Sequence, residues 1–333
     1  MKRAAVIGLG DISFIHLGAI ERNEHIELTA VCDIDEAVCG RAPAGVAFYT
    51  DYAEMLAREQ LDCVHVCLPH YLHYPVSRDA VLAGVNVFCE KPLAVSAEEA
   101  AAFVSLERDH PEVRIGIDLQ NRLNESTEEL KRIIDAGERG CVVGIRGSVP
   151  WYRPESYYTT KPWRGAWATA GSGTMMNQSI HTLDLLQFLA GPVVRLRGSM
   201  SQLCGYDIEV EDTVICSLEF ASGVRGLFEA TNANFKNESV QISVELEGGM
   251  FIIHDNRLFE VVDGTEVPLV EDAKFTGEKF YYGASSEKLI AKFYRALEGE
   301  NVPYVHASDA EASIHLIEAI KESSTFGRAV EVR

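Results

Sequence analysis

Residues 4–10 (AAVIGLG), 28–33 (LTAVCD), 63–69 (CVHVCLP), 85–91 (VNVFCEK) and 113–119 (VRIGIDL) are short runs, mostly apolar and rich in valine and isoleucine. Near-continuous hydrophobicity over that length predicts strands covered on both faces, as in a parallel sheet. Helix-length segments lie between and beyond them, at 12–24, 51–59, 73–84 and 96–109. Ser96 with Glu99 three residues later forms a capping box that opens the last. Strand and helix in alternation predict a doubly wound α/β domain over residues 1–121.

From residue 122 the rhythm changes. Ser126 with Glu129 predicts a helix ending near Gly137, and a strand follows at 141–152. An aromatic, arginine-bearing loop (151–173) leads to a predicted helix at 174–190, closed by Gly191-Pro192. Strands are predicted at 193–203, 213–221, 224–232, 239–247, 250–254 and 257–262, with short turns such as Ser222-Gly223, Gly248-Gly249 and Asp255-Asn256. Spacing that close favours antiparallel pairing. Helices at 285–298 and, behind a Ser308 to Glu311 capping box, 308–324 end the pattern. Residues 122–333 are therefore expected to form a second α/β domain that binds substrate and self-associates, with the closing helices able to pack back on the first.

Composition narrows the function. A chain of 333 residues with 47% hydrophobic and 24% charged residues is an ordinary globular protein of two domains. It has no apolar run of about 18 residues, and "MKRAAVIGLG" enters a strand directly, so a cytoplasmic location is expected. The formal net charge of −20 argues against affinity for nucleic acid or an anionic membrane. Eight cysteines (32, 39, 63, 67, 89, 141, 204, 216) are scattered without a CxxC pair or zinc spacing, so reduced core thiols and no metal site are expected. A small-molecule substrate remains.

Gly8-Leu9-Gly10-Asp11-Ile12-Ser13 falls at the first strand-to-helix turn, where a dinucleotide fold needs a tight turn and bare backbone beside the pyrophosphate. Ser13 replaces the third glycine of that pattern. Asp33 closes the second strand, where a carboxylate accepts from both ribose hydroxyls and repels a 2'-phosphate. "CDIDEAV" offers no arginine or lysine against that repulsion, so NAD is the expected cofactor.

Glu90-Lys91-Pro92 falls at the carboxyl end of a central strand, the ligand-binding end of an open α/β sheet. A plain strand-end ion pair is the alternative for Glu90 and Lys91. Asn177, His181 and Asp184 are spaced by four and three, which places them on one side of the predicted helix behind a flexible Gly171-Ser172-Gly173. A lone helical histidine is usually structural; a polar triplet on an otherwise apolar helix points to chemistry.

Gly8-Leu9-Gly10, Asp33, Pro69 with His73, Glu90-Lys91-Pro92, Trp163-Arg164 and the Asn177, His181, Asp184 set together resemble the Gfo/Idh/MocA family of oxidoreductases. The resemblance covers essentially the whole chain. It implies an N-terminal Rossmann domain and a C-terminal α/β domain with a large, open-faced, mostly antiparallel sheet. It implies hydride transfer between nicotinamide and a hydroxyl or carbonyl of a sugar, sugar derivative or inositol. Lys91 and His181 then form the catalytic pair. Gly8, Gly10, Asp11, Ile12, Asp33, Leu68, Pro69, His73, Glu90, Lys91, Trp163 and Arg164 would meet the cofactor. Arg122, Tyr157, Tyr158, Asn177 and Asp184 would meet the substrate. Two departures stand out: Asn177 where many members carry aspartate, which leaves Asp184 to orient His181, and His70 where asparagine is common after the proline.

Two other functions stay open: a glycosidase that uses tightly bound NAD for transient sugar oxidation, and a non-enzymatic sensor. An open sheet would expose apolar side chains such as those of "VICSLEF" and "VQISVEL" unless covered, so a homodimer or homotetramer is expected.

Overall fold

The computed structural model describes residues 1–273 and 284–332. The chain forms two compact units, Met1–Gln120 with Ala284–Glu311, and Asn121–Gly283 with Ala312–Arg333.

In the first unit the elements run β1 (Lys2–Ile7), α1 (Ser13–Glu21), β2 (Ile26–Cys32), β3 (Ala47–Tyr49), α2 (Tyr52–Arg58), β4 (Cys63–Val66), α3 (His73–Leu82), β5 (Asn86–Cys89), α4 (Ala97–Asp109) and β6 (Ile115–Ile117). The six strands are parallel in the order β3-β2-β1-β4-β5-β6. The order reverses between β1 and β4, the switch point at which open α/β sheets bind ligands. All four residues of β4 are buried, as near-continuous hydrophobicity requires. β3 was not expected: three half-buried residues give too short a signal to separate from a loop. At α4, Ser96 Oγ accepts from the Glu99 N–H at 3.2 Å, while the Glu99 carboxylate reaches the Val95 N–H at 3.3 Å.

The second unit contains α5 (Glu125–Ala136), β7 (Val142–Pro150), α6 (Ser156–Thr159), α7 (Trp167–Ala170), α8 (Thr174–Asn177), α9 (Ile180–Ala190), β8 (Val193–Ser201), β9 (Thr213–Phe220), β10 (Arg225–Thr231), β11 (Gln241–Leu246), β12 (Gly249–His254), β13 (Arg257–Val262) and β14 (Thr265–Glu271). Next comes α10 (Ser285–Leu297), which belongs to the first unit. α11 (Ala307–Phe326) contains the boundary between units, and β15 (Val330–Glu331) follows. The nine strands lie in the order β14-β13-β12-β11-β7-β10-β9-β8-β15. Among the described residues of this sheet only the β7–β10 pair is parallel.

Three local expectations are corrected. The helix predicted at 174–190 is two helices, because the Ser179 hydroxyl donates to the Thr174 carbonyl at 2.9 Å and Ser179 leaves helical geometry. Ser126 does not cap α5: it lies inside the first turn, its N–H and hydroxyl donating to Asp272 at 2.7 and 3.0 Å. At α11 the helix begins at Ala307, so Ser308 lies inside its first turn, and the Asp309 carboxylate of that turn accepts from the His306 N–H at 2.8 Å.

Alternation in the large sheet sorts its side chains. Val214, Cys216, Leu218 and Phe220 of β9 and Ile242, Val244 and Leu246 of β11 are buried. The other face shows Ile215 and Leu227, 61% and 54% exposed, beside an Arg146–Glu229 ion pair of 2.6 Å. That face is thus mixed in character, since most apolar atoms of "VICSLEF" and "VQISVEL" point inward. Cys39 and Cys141 are exposed rather than core thiols. Among the described residues no helix is long and apolar enough to cross a membrane.

Candidate active site

In the first unit the Gly-rich turn, Asp33, Leu68-Pro69 and Glu90-Lys91-Pro92 all follow the carboxyl ends of strands in one parallel sheet. Gly8 has φ of +93°, and a Cβ there would lie 2.5 Å from the Cys67 carbonyl oxygen, so only glycine fits. A Cβ on Gly10 would meet no atom of the chain within 4 Å. Ile12 at the N-cap of α1 supplies no side-chain cap, and Ser13, 2% exposed, donates its hydroxyl to the Gly10 carbonyl at 2.8 Å. Uncapped helix N–H groups beside bare glycine backbone are suited to pyrophosphate.

Asp33 is tied to this turn. Its carboxylate accepts from the Leu9 N–H at 2.7 Å and the Asp35 N–H at 2.9 Å. Arg41, which lies beyond "CDIDEAV" in the chain, donates from its guanidinium to the Leu9 carbonyl. The turn therefore has both a carboxylate and a cation beside it.

Glu90 is 6% exposed. Its carboxylate accepts from the Lys91 N–H at 3.2 Å and lies 3.1 Å from His16 Nε2. His16 Nδ1 is 2.9 Å from His65 Nδ1, and His65 Nε2 is 2.9 Å from the Tyr294 hydroxyl. One proton assignment satisfies the series with neutral rings: Tyr294 donates to His65, His65 to His16, and His16 to Glu90. Burial and the neighbouring His16 hold His65 well below the ordinary imidazole range. Burial also pushes the Tyr294 phenol well above its ordinary value, which preserves its donor role.

The Lys91–Pro92 bond is cis. His73, 1% exposed, bridges the Pro92 carbonyl at 2.7 Å and the Leu68 carbonyl at 2.8 Å, tying two of the loops together. Burial lowers its proton affinity, while the two carbonyls, which can only accept, favour a ring that donates from both nitrogens. His70 is also buried, its ring 5.8 Å from that of His73.

In the second unit the aromatic loop folds against α8. The Arg164 guanidinium lies 4.0 Å from the centre of the Tyr157 ring and 5.6 Å from that of Trp163. The Tyr157 hydroxyl donates to Asn177 Oδ1 at 3.3 Å and accepts from Gln178 Nε2 at 2.8 Å. Tyr158 is 3% exposed, and its hydroxyl accepts from Asn232 at 3.0 Å, which makes it packing beneath Tyr157. Arg122 and Asp184 form a two-pronged ion pair at 2.8 and 2.6 Å. Asp184 thus engages Arg122, while His181 is half-buried in the first turn of α9.

Gly171-Ser172-Gly173 is pinned rather than flexible. The buried Glu211 carboxylate accepts from the Ser172 hydroxyl and the Gly173 N–H at 2.9 Å and from the Met175 N–H at 3.0 Å. Burial raises its proton affinity, against which the three donors work. The residues that the sequence reading missed are His16, His65, Asp118, Arg41, Gln178, Glu211 and Asn232. A histidine inside "CVHVCLP" and an aspartate inside "IGIDL" were readable signals, since a titratable residue in a buried strand needs a partner.

A doubly wound sheet with a bare Gly turn and a carboxylate at its second strand is the arrangement of a dinucleotide-binding domain. Residues 2–116 match the oxidoreductase family with an NAD-binding Rossmann fold, and residues 127–252 match the Gfo/Idh/MocA C-terminal domain. The chain belongs to the Gfo/Idh/MocA oxidoreductase family. It is similar to D-xylose 1-dehydrogenase (NADP(+)) 2 of Haloferax volcanii, 26% identical over 326 residues, 94% of each chain. D-apiose dehydrogenase of Paraburkholderia graminis is 26% identical over 345 residues, 99% of this chain and 90% of the relative. The WlbA dehydrogenase of Bordetella pertussis, crystallised with NADH and UDP-GlcNAcA, superposes with a TM-score of 0.87 at 26% identity, covering 99% of this chain and 98% of that one.

A Cβ on Gly173 would lie 1.8 Å from the Glu211 carbonyl oxygen. Gly173→Ala is expected to destabilise by about 3 kcal/mol, the upper range for overpacking. Ser172→Ala should cost about 1 kcal/mol for one hydrogen bond. Urea unfolding midpoints check both values.

Proposed function

We propose that the protein is an NAD-dependent dehydrogenase that oxidises a secondary hydroxyl of a sugar, sugar derivative or inositol, or runs that reaction in reverse, with Lys91 and His181 as its catalytic residues. The observation that carries this reading is Lys91 on a turn braced by Glu90, at the same sheet end as the Gly8-Leu9-Gly10 turn and Asp33. NAD, when bound, supplies the hydride acceptor. His181 takes the proton of the reacting hydroxyl, a task suited to imidazole because it accepts and returns protons near neutral pH. Lys91 stabilises the negative charge developing on that oxygen. Tyr157, Asn177 and Arg164 supply aromatic and polar edges of the kind that sugar rings use, and the similar proteins are sugar dehydrogenases.

Lys91→Ala should lower kcat by about 100- to 1000-fold, the loss on removing one oxyanion donor. His181→Ala should lower it by about 100- to 10,000-fold. Nicotinamide absorbance across a panel of sugars, sugar acids, inositols and glycosides gives the readout. NADH accumulating in proportion to product supports a dehydrogenase, whereas glycoside cleavage without net NADH overturns that reading. Unchanged rates in Lys91→Ala remove Lys91 from the mechanism.

The cofactor reading rests on Asp33, and Arg41 opposes it by bringing a cation to the turn. Wild-type protein is expected to prefer NADH to NADPH in fluorescence titrations. Asp33→Ala should narrow the preference at least tenfold, and Arg41→Ala should widen it. Equal affinities in the wild type would reverse the assignment.

The exposed sheet face, with Ile215 and Leu227 among arginines and glutamates, supports association as a homodimer or homotetramer. Light scattering should give two or four times the chain mass, and Ile215→Glu with Leu227→Glu should reduce it. A monomeric wild type would exclude this arrangement.

A further inference from the structure

Asp118 follows β6 and is completely buried. Its N–H donates to the Cys89 carbonyl at 2.8 Å, which fixes it beside the end of β5. One oxygen of Asp118, one of Glu90 and one nitrogen of His16 all lie within 4.8 Å of one another. The groups facing Asp118 are His16 from α1, Glu90 and Lys91 beyond β5, Ser286 from α10, and the Cys67 and Cys89 thiols.

Counting protons decides what this trio holds. His16 uses Nδ1 toward His65 and Nε2 toward Glu90, so its ring has no lone pair for a metal ion. Its Nε2 lies 3.8 Å from Asp118, beyond hydrogen-bond reach. Glu90 has two donors, the Lys91 N–H and His16, whereas neither Asp118 oxygen has a donor within 3.5 Å among the described residues, and the Ser286 hydroxyl that favours its charged form acts from beyond that distance. Two carboxylates this close in a dry site cannot both be ionised, and the one with donors keeps the charge.

We propose that Asp118 is a positioning residue for Lys91: it is the protonated partner of the Glu90 carboxylate and keeps that carboxylate bonded to the Lys91 backbone. The proposal rests on the reading of Lys91 as catalytic only for its bearing on turnover. The proton directions agree with the geometry. Burial and then the Glu90 charge push the Asp118 carboxyl well above the ordinary range. Burial opposes ionisation of Glu90, but His16 and Lys91 outweigh it and hold Glu90 below its ordinary value. When Asp118 loses its proton, like-charge repulsion drives Glu90 from the Lys91 N–H and loosens the turn. A carboxyl with raised folded affinity contributes stability that is complete below the unfolded carboxylate range. That stability is lost as pH rises through the folded value.

Infrared spectroscopy of the full-length protein without substrate tests the proton itself. A protonated-carboxyl C=O band is expected at neutral pH, shifting in heavy water, absent in Asp118→Asn and retained in Lys91→Ala. Thermal melting tests the pH dependence. The wild-type melting temperature should fall relative to Asp118→Asn between about pH 5 and about pH 9, because asparagine cannot ionise. A constant offset across that range would mean a merely structural role and overturn the proposal. Absence of the band at neutral pH, or one equivalent of zinc in the purified protein, would also overturn it. If Asp118→Asn does not fold, a wild-type band that persists at neutral pH and disappears on alkaline titration supports the proposal. Loss of turnover is not among the readouts, so failure of the dehydrogenase reading leaves this test intact.

Discussion

The Glu90 carboxylate is the constraint on which the first unit's site depends. β5 delivers it to the ligand-binding end of the sheet, yet it is almost wholly buried there, and a buried carboxylate survives only when donors surround it. Those donors are the Lys91 N–H and His16. Because His16 comes from the helix that starts at the Gly-rich turn, one carboxylate links the two loops that a dinucleotide fold brings to its cofactor. His65 and Tyr294 continue the series into α10, so the turn is braced against a helix nearly two hundred residues further along the chain. Removing any member leaves its neighbour buried without a partner, which costs more than the bond itself contributes.

The second unit uses the same device with different residues. Glu211, buried and bonded to three donors, fixes the loop before α8. Asn232 donates to both Tyr158 and Gln178, and Gln178 donates to Tyr157. The aromatic loop, which contains the short helices α6 and α7, is therefore tied to its surroundings by side-chain amides. Such loops can carry different substrates on one scaffold, since the amide network can be changed without disturbing the sheet.

How much of this could be read in the sequence follows from the range of each signal. Apolar runs located β1, β2, β4, β5 and β6 because parallel strands are buried on both faces. Short β3 and β15 left no period to read, and β14, with six of its seven residues exposed, left no buried run. The Gly8-Leu9-Gly10 turn and Glu90-Lys91-Pro92 were visible because each concentrates its chemistry in a few adjacent positions. Pairings such as His16 with Glu90, Arg122 with Asp184 and Gln178 with Asn232 join residues tens of positions apart, and only the fold decides them. The break at Ser179 was hidden for a different reason: a serine inside an apolar helical pattern is compatible with helix until its hydroxyl bonds backward to Thr174.

The charge balance bears on how such a protein holds a dinucleotide at all. With a formal net charge of −20 the chain repels an anion at long range, and Asp33 adds a carboxylate beside the turn. At physiological salt the screening length is about 8 Å, so the distant charges count for little and the local donors decide. Those donors are backbone N–H groups at an uncapped helix start, whose partial positive charge is fixed by geometry and does not titrate. Arg41 contributes a full positive charge, but its guanidinium is already spent in part on the Leu9 carbonyl. Backbone donors of this kind suit a pyrophosphate, and Asp33 and Arg41 are the charged side chains bonded beside them.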